Sequence, residues 1–132
     1  MPTINVSVNQ TTATASEGVI RSHKVPVDRP AAKGGTDAGA MGGELLLASL
    51  GGCFMSNLLE AIRTREADIT NVQVSVDGEL NGQPAHFTAI TMSVSAEHND
   101  KALLEKLVTI SERSCIVANT LKGSVDVSVK VV

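Results

Sequence analysis

The stretch GGELLLASLGGCFMSNLLEAI, residues 42–62, decides how this chain is read. It predicts a helix from about Glu44 to about Thr64. The helix is apolar over more than one face, so it must be buried on most sides. A chain of 132 residues would struggle to surround it alone, which favours a dimer. Two features break the pattern. Gly51 and Gly52 stand inside the helix, where each costs ~1 kcal/mol relative to Ala. Close approach of another segment is the usual reason for tolerating that cost. Cys53 follows them directly. At ~100° per residue, Ser49, Ser56, Asn57 and Glu60 fall within about 60° of Cys53. Leu47, Phe54, Met55, Leu58, Ala61 and Ile62 lie on the other side. Cys53 thus belongs to a narrow polar stripe, which is either a plain solvent face or a site.

Around this helix the pattern alternates between strands and turns. INVSV, residues 4–8, and VIRSHKVPV, residues 19–27, read as two strands, with a hairpin in the polar run between them. Residues 28–43, DRPAAKGGTDAGAMGG, hold five glycines and two aspartates, the chemistry of a long loop. Such loops in compact domains are often functional. NVQVSVDGEL places Val72, Val74 and Val76 on one face of a strand, with turn signals at Asp77-Gly78 and in NGQP, residues 81–84. HFTAITMSVSA is a further strand. HND, residues 98–100, supplies an N-cap for the amphipathic helix KALLEKLVTISER. SCIVANTLKG is a short helical turn opened by Ser114 and closed by Gly123. SVDVSVKVV alternates strictly, with Val125, Val127, Val129 and Val131 on one face of a final strand. The order ββ-loop-α-ββ-α-β predicts a single α+β domain over residues 1–132, mainly antiparallel.

Composition narrows the function. Two Phe, no Tyr and no Trp leave a core of Val, Leu, Ile and Ala and no stacking platform for single strands. The net charge of -3 with mixed signs speaks against nucleic acid. Neither a secretory leader nor a run of ~18 uninterrupted apolar residues is visible, so the expectation is a cytoplasmic chain with no membrane partner. There two cysteines are more often reactive thiols than a disulfide. Cys115 directly follows Ser114 at a helix start, where partial positive charge favours a thiolate. Spacing alone leaves Cys53 and Cys115 open between a dithiol pair and two separate core thiols. His23, His86 and His98 are scattered, so a structural zinc site lacks an anchoring pair. In the loop, Arg29 can serve a Cys53 thiolate or a substrate oxygen, and Lys33 and Asp37 flank it. The alternative is a solvated linker.

GGTDAGAMGGELLLASLGGC resembles the run that opens the central helix of the OsmC/Ohr family, the osmotically inducible and organic hydroperoxide resistance proteins. SERSCIVANTL resembles that family's second cysteine segment. The resemblance covers nearly the whole chain. It implies an α+β fold intertwined as a homodimer, with a long buried central helix between sheets and sites at the subunit interface. It implies a thiol peroxidase for organic hydroperoxides, with Cys53 peroxidatic and Cys115 resolving. An external dithiol such as a lipoyl group would regenerate it, and no metal or organic cofactor is needed. The hydroperoxide-resistance branch carries a glutamate where Gly43 stands. The nearest acid, Glu44, falls on the side of the helix opposite Cys53. That branch also uses an N-terminal arginine, for which Arg29 and Arg21 are the candidates. Asn57, on the polar stripe, is a further supporting candidate. Ile116 follows the second cysteine where proline is usual. These departures keep open a second reading, a catalytically weak or non-enzymatic dimer binding a small apolar ligand or partner.

Overall fold

The computed structural model describes residues 2–132. The chain is α+β and antiparallel throughout its sheets, and it forms two compact units, residues 1–46 and 47–132.

In the first unit, β1 (Ser7–Gln10), β2 (Ser16–Ile20) and β3 (His23–Val27) form one antiparallel sheet in that order. The stretch expected as one strand over residues 19–27 is therefore two. Ile20 pairs with His23, so Arg21 and Ser22 make a two-residue hairpin turn. Arg21 adopts the left-handed φ of 55° that such turns require. No Asn-Gly or Asp-Gly announces it, and that is why the sequence conceals the reversal. The long loop after β3 is tied down by one residue. The Asp28 carboxylate accepts from the N–H groups of Arg29 (2.7 Å), Thr36 (3.1 Å) and Ala38 (3.1 Å) and from the Thr36 hydroxyl (2.8 Å). These four donors hold the carboxyl far below the usual carboxylate range, the Thr36 hydroxyl foremost, with burial opposing. A Cβ at Gly35 would collide with the Arg29 carbonyl, and one at Gly39 with the Pro26 carbonyl, so only glycine lets the loop close this tightly.

The central helix α1 runs Gly42–Thr64. In the second unit it is followed by β4 (Ile69–Asn81), β5 (His86–His98), α2 (Lys101–Arg113) and α3 (Ile116–Lys122). β4 and β5 form one long hairpin. Its inner face carries Val72, Val74, Val76, Ile90, Met92 and Val94, partly buried against the core, while Gln73, Ser75 and Asp77 face water. Asp77-Gly78 is not a turn. Gly78 pairs with Ile90 in mid-strand, and a Cβ there would lie 2.7 Å from the Phe87 ring and 3.1 Å from Leu47. Glycine here makes room for an aromatic ring, and the chain reverses instead between Asn81 and His86.

The core is Leu50, Phe54, Leu58, Ala61 and Ile62 of α1 with Ile69, Leu104, Leu107, Cys115 and Ala118. An 18-residue window of α1 has mean hydropathy 1.6, long and apolar enough to cross a bilayer by length and composition. Only 28% of that window is buried within the described residues; its buried residues pack into the protein core, while Leu46 and Leu59 remain exposed. Asp100 caps α2, its carboxylate accepting from Leu103 N–H at 3.0 Å. Residues 124–132, expected as a final strand, belong to no strand and are exposed, Val127 at 84% and Val131 at 99%. Alternation specifies a strand's two faces but supplies no neighbour. Within the described residues no strand offers this segment a ladder.

Candidate active site

Cys53 and Cys115 come together in the second unit. Cys53 is half-buried on α1, and Cys115 has no exposed surface. Both are free thiols. Cys115, not Ser114, is the N-cap of α3: its Sγ accepts from Ala118 N–H at 3.4 Å, and its carbonyl accepts from Asn119 N–H at 2.9 Å. Ser114 instead closes α2, its hydroxyl donating to the Ile110 carbonyl at 2.8 Å. Gly123 ends α3 in an extended conformation rather than a left-handed one.

The two thiols are polarised in opposite directions. Cys53 is held below its ordinary value. The Val117 N–H is the largest cause, burial opposes it, and the Cys115 thiol and the Ile116 N–H add to the lowering. These groups, turned toward Cys53, favour its thiolate. Cys115 is pushed up, first by burial and further by its neighbour Cys53, with the Ala118 N–H pulling the other way. One thiol has its thiolate favoured and its buried neighbour has its protonated form favoured, the polarity that thiol–disulfide chemistry uses.

Asn57 lies one turn beyond Cys53 and donates from Nδ2 to the Ser111 carbonyl at 3.3 Å. Ser49, Ser56 and Glu60 are exposed, so the polar stripe is real, with Cys53 and Asn57 at its inner margin. Glu60 is spent on Arg63, within the same helix. The helix glycines divide. A Cβ at Gly51 would lie 3.0 Å from Val76 Cγ2, so β4, not the Cys115 segment, approaches there. A Cβ at Gly52 would meet nothing within 4 Å.

Arg21, Arg29 and Glu44 belong to the first unit. Arg21 sits exposed in the β2–β3 turn. Arg29 lines an open cavity of about 270 Å³ with Thr14, Ser16, Asp28 and Met41. Glu44 accepts from Met41 N–H at 2.8 Å, so it caps the first turn of α1. His86 faces the Pro84 carbonyl at 2.8 Å. Among the described residues no group of three or more His, Cys, Asp or Glu comes together as a metal site. Sequence reasoning missed the Val117 and Ile116 N–H groups, which carry no side-chain signal, and Asp28, whose four donors are scattered over its loop.

Residues 35–130 match the model of a family described as OsmC-like protein. No curated protein matches the chain. Solved structures do. One is a hypothetical protein from Aquifex aeolicus, at TM-score 0.77 and 18% identity, over 92% of this chain and 89% of that one. An OsmC-like protein from Vibrio cholerae matches at TM-score 0.75 and 15% identity, over 91% and 94%. An organic hydroperoxide resistance protein from Elizabethkingia anophelis matches at TM-score 0.66 and 17% identity, over 93% and 90%. At such identities the structural likeness speaks for the fold alone. The family match spans well over half of the sequence, and the chain belongs to the OsmC-like family.

Proposed function

We propose that this OsmC-like chain is a thiol-dependent peroxidase that reduces organic hydroperoxides through Cys53 and Cys115. The observation that carries the reading is the opposed polarisation of the pair: Cys53 lowered by backbone N–H groups, Cys115 raised by burial. The Cys53 thiolate attacks the terminal oxygen of the hydroperoxide and the O–O bond breaks. The sulfur gains that oxygen as a sulfenate, and the alcohol leaves with the proton the hydroperoxide carried. After protonation, the Cys115 thiol displaces water from the sulfenic acid and the disulfide forms. An external dithiol, a lipoyl group being one candidate, returns both thiols by exchange.

Arg29, with Arg21 as the second candidate, is proposed as the cation that serves the reacting oxygens. The acting unit is proposed to be a homodimer built from one intertwined domain per chain. Two observations support it: the exposed apolar residues Leu46 and Leu59 on α1 and the unpaired valines of residues 124–132. The test is mass spectrometry after one equivalent of cumene hydroperoxide. One intramolecular disulfide and one equivalent of cumyl alcohol are expected, and neither in Cys53→Ser. Unchanged consumption in that variant sinks the proposal.

One observation favours a second reading. Gly43 stands where an acid is expected, and Glu44 is committed to the Met41 N–H. A non-enzymatic dimer binding a small apolar ligand would consume no hydroperoxide even with dithiol present.

A further inference from the structure

A helix leaves its last four carbonyls without intrahelical donors. In α2 these belong to Ile110, Ser111, Glu112 and Arg113, and each is satisfied. Ile110 accepts from the N–H and hydroxyl of Ser114 (3.3 and 2.8 Å), and Glu112 from Cys115 N–H (3.1 Å). Arg113 accepts from Asn119 Nδ2 of α3 (3.1 Å). Ser111 accepts from Asn57 Nδ2 of α1 (3.3 Å). Three of the four are closed from within the α2–α3 corner, and the fourth is closed from the helix that carries Cys53. Ser111 is 1% exposed, so water does not replace that donor. Its own hydroxyl is committed to the Leu107 carbonyl at 2.7 Å.

The spacing gives this bond a place in the chemistry. Asn57 is one turn beyond Cys53 on the same face of α1, and Ser111 is one turn before Cys115. We propose that Asn57 is a positioning residue: its amide fastens the end of α2 to α1 and so fixes where the corner presents Cys115 to Cys53. This rests on the Cys53–Cys115 redox reading and names the side chain that sets the pair's geometry. The Asn57 amide is spent on the Ser111 carbonyl. It acts through the carbonyl of Ser111 and the three residues, Glu112 to Ser114, between it and Cys115. Asn119 holds the same corner from the α3 side and makes the turn between Arg113 and Ile116 rigid enough to transmit the constraint.

The experiment uses the full chain and the thiol oxidant diamide, which takes two electrons and two protons from the thiol pair and leaves a disulfide. Closure is followed by loss of free thiol, and the pH dependence of Cys53 alkylation is measured in a Cys115→Ser background. In Asn57→Ala, closure is expected to slow by about tenfold or more, the scale on which small misplacements act on reacting groups. The pH midpoint of Cys53 is expected to move up toward the ordinary thiol value of about 8.5 as its donors drift. Asn57→Gln, which keeps an amide donor, should recover part of the closure rate. It also serves as the folded variant if Asn57→Ala does not fold. Val108→Ala, a core truncation elsewhere on α2, controls for lost stability and should change neither readout. Closure at the wild-type rate in folded Asn57→Ala overturns the proposal, and so does equal slowing in Val108→Ala. A wild type that consumes no hydroperoxide yet closes with diamide, slowly in Asn57→Ala, removes the peroxidase reading and upholds the positioning role.

Discussion

Replacing Cys115 separates the two roles this side chain fills. Its sulfur caps α3 by accepting from Ala118 N–H, and its thiol helps to lower Cys53. Serine keeps an acceptor for Ala118 and a donor for Cys53. Serine is also among the best capping residues, so Cys115→Ser should fold and melt close to wild type. Alanine keeps neither. It leaves the Ala118 N–H unpaired at a site with no exposed surface and should cost ~1–2 kcal/mol, or about 3–8 °C in Tm. Chemically the variants converge, because neither can resolve a sulfenic acid, and dimedone should trap one at Cys53 in both. The Val117 N–H is the largest influence lowering Cys53. Iodoacetamide should therefore still alkylate Cys53 of Cys115→Ser with a pH midpoint below the ordinary ~8.5. The sign follows directly: a lowered thiol is thiolate above its midpoint, so reactivity persists toward neutral pH and falls as pH drops through the midpoint. Equal melting temperatures for the two variants would refute the cap. A midpoint back at the ordinary value in folded Cys115→Ala, which has no donor at 115, would show that the neighbouring side chain, not the backbone, activates Cys53.

Three other substitutions probe the scaffold. Asp28 is ionised well below the usual range in the folded chain, so the unfolded chain binds more protons there as pH falls. Its contribution is present above the ordinary carboxylate range and lost below it. Urea titrations should show stability falling between about pH 5 and pH 3, with a flatter profile in Asp28→Asn; identical profiles would count against the loop staple. Gly52→Ala meets no atom within 4 Å and should stabilise by ~1 kcal/mol. Gly51→Ala must displace Val76 Cγ2 at 3.0 Å and should gain less or nothing. Denaturant midpoints compare the two, and a loss at Gly52 would mean that another chain covers that face. Asp100→Ala removes the α2 cap and should cost ~1 kcal/mol, read by thermal melting; a melt unchanged from wild type would assign the Leu103 N–H to water.

What the sequence disclosed and what it hid divide along a physical line. Periodicity reports which face of an element is buried, so α1, α2 and the valine face of β4 were legible, as was Asp100 as a cap. The polar stripe that set Cys53 apart from Phe54 and Leu58 is the same kind of information. Turns are another matter, because the same dipeptide serves two needs. Asp77-Gly78 carries a hairpin signature but sits in mid-strand, since the Phe87 ring fills the space a side chain would take. Arg21-Ser22 carries no signature and still reverses the chain. The final valines show a third limit: alternation makes a segment fit to be a strand, and only a neighbour makes it one. The site follows the same logic. Both cysteines were legible because their chemistry lies in their side chains. What lowers Cys53 within its own unit is first the Val117 N–H, then the Cys115 thiol and last the Ile116 N–H, and any residue but proline at 116 or 117 would present the same backbone donors. Ile116 therefore matters at this site less for its side chain than for its N–H. Proline at this position would have no hydrogen to give. Ile116→Pro should raise the Cys53 midpoint while sparing the fold, since proline is well tolerated in the first turn of a helix. An unchanged alkylation profile in that variant would leave Val117 as the sole backbone donor and return the search for an activating group to Arg29.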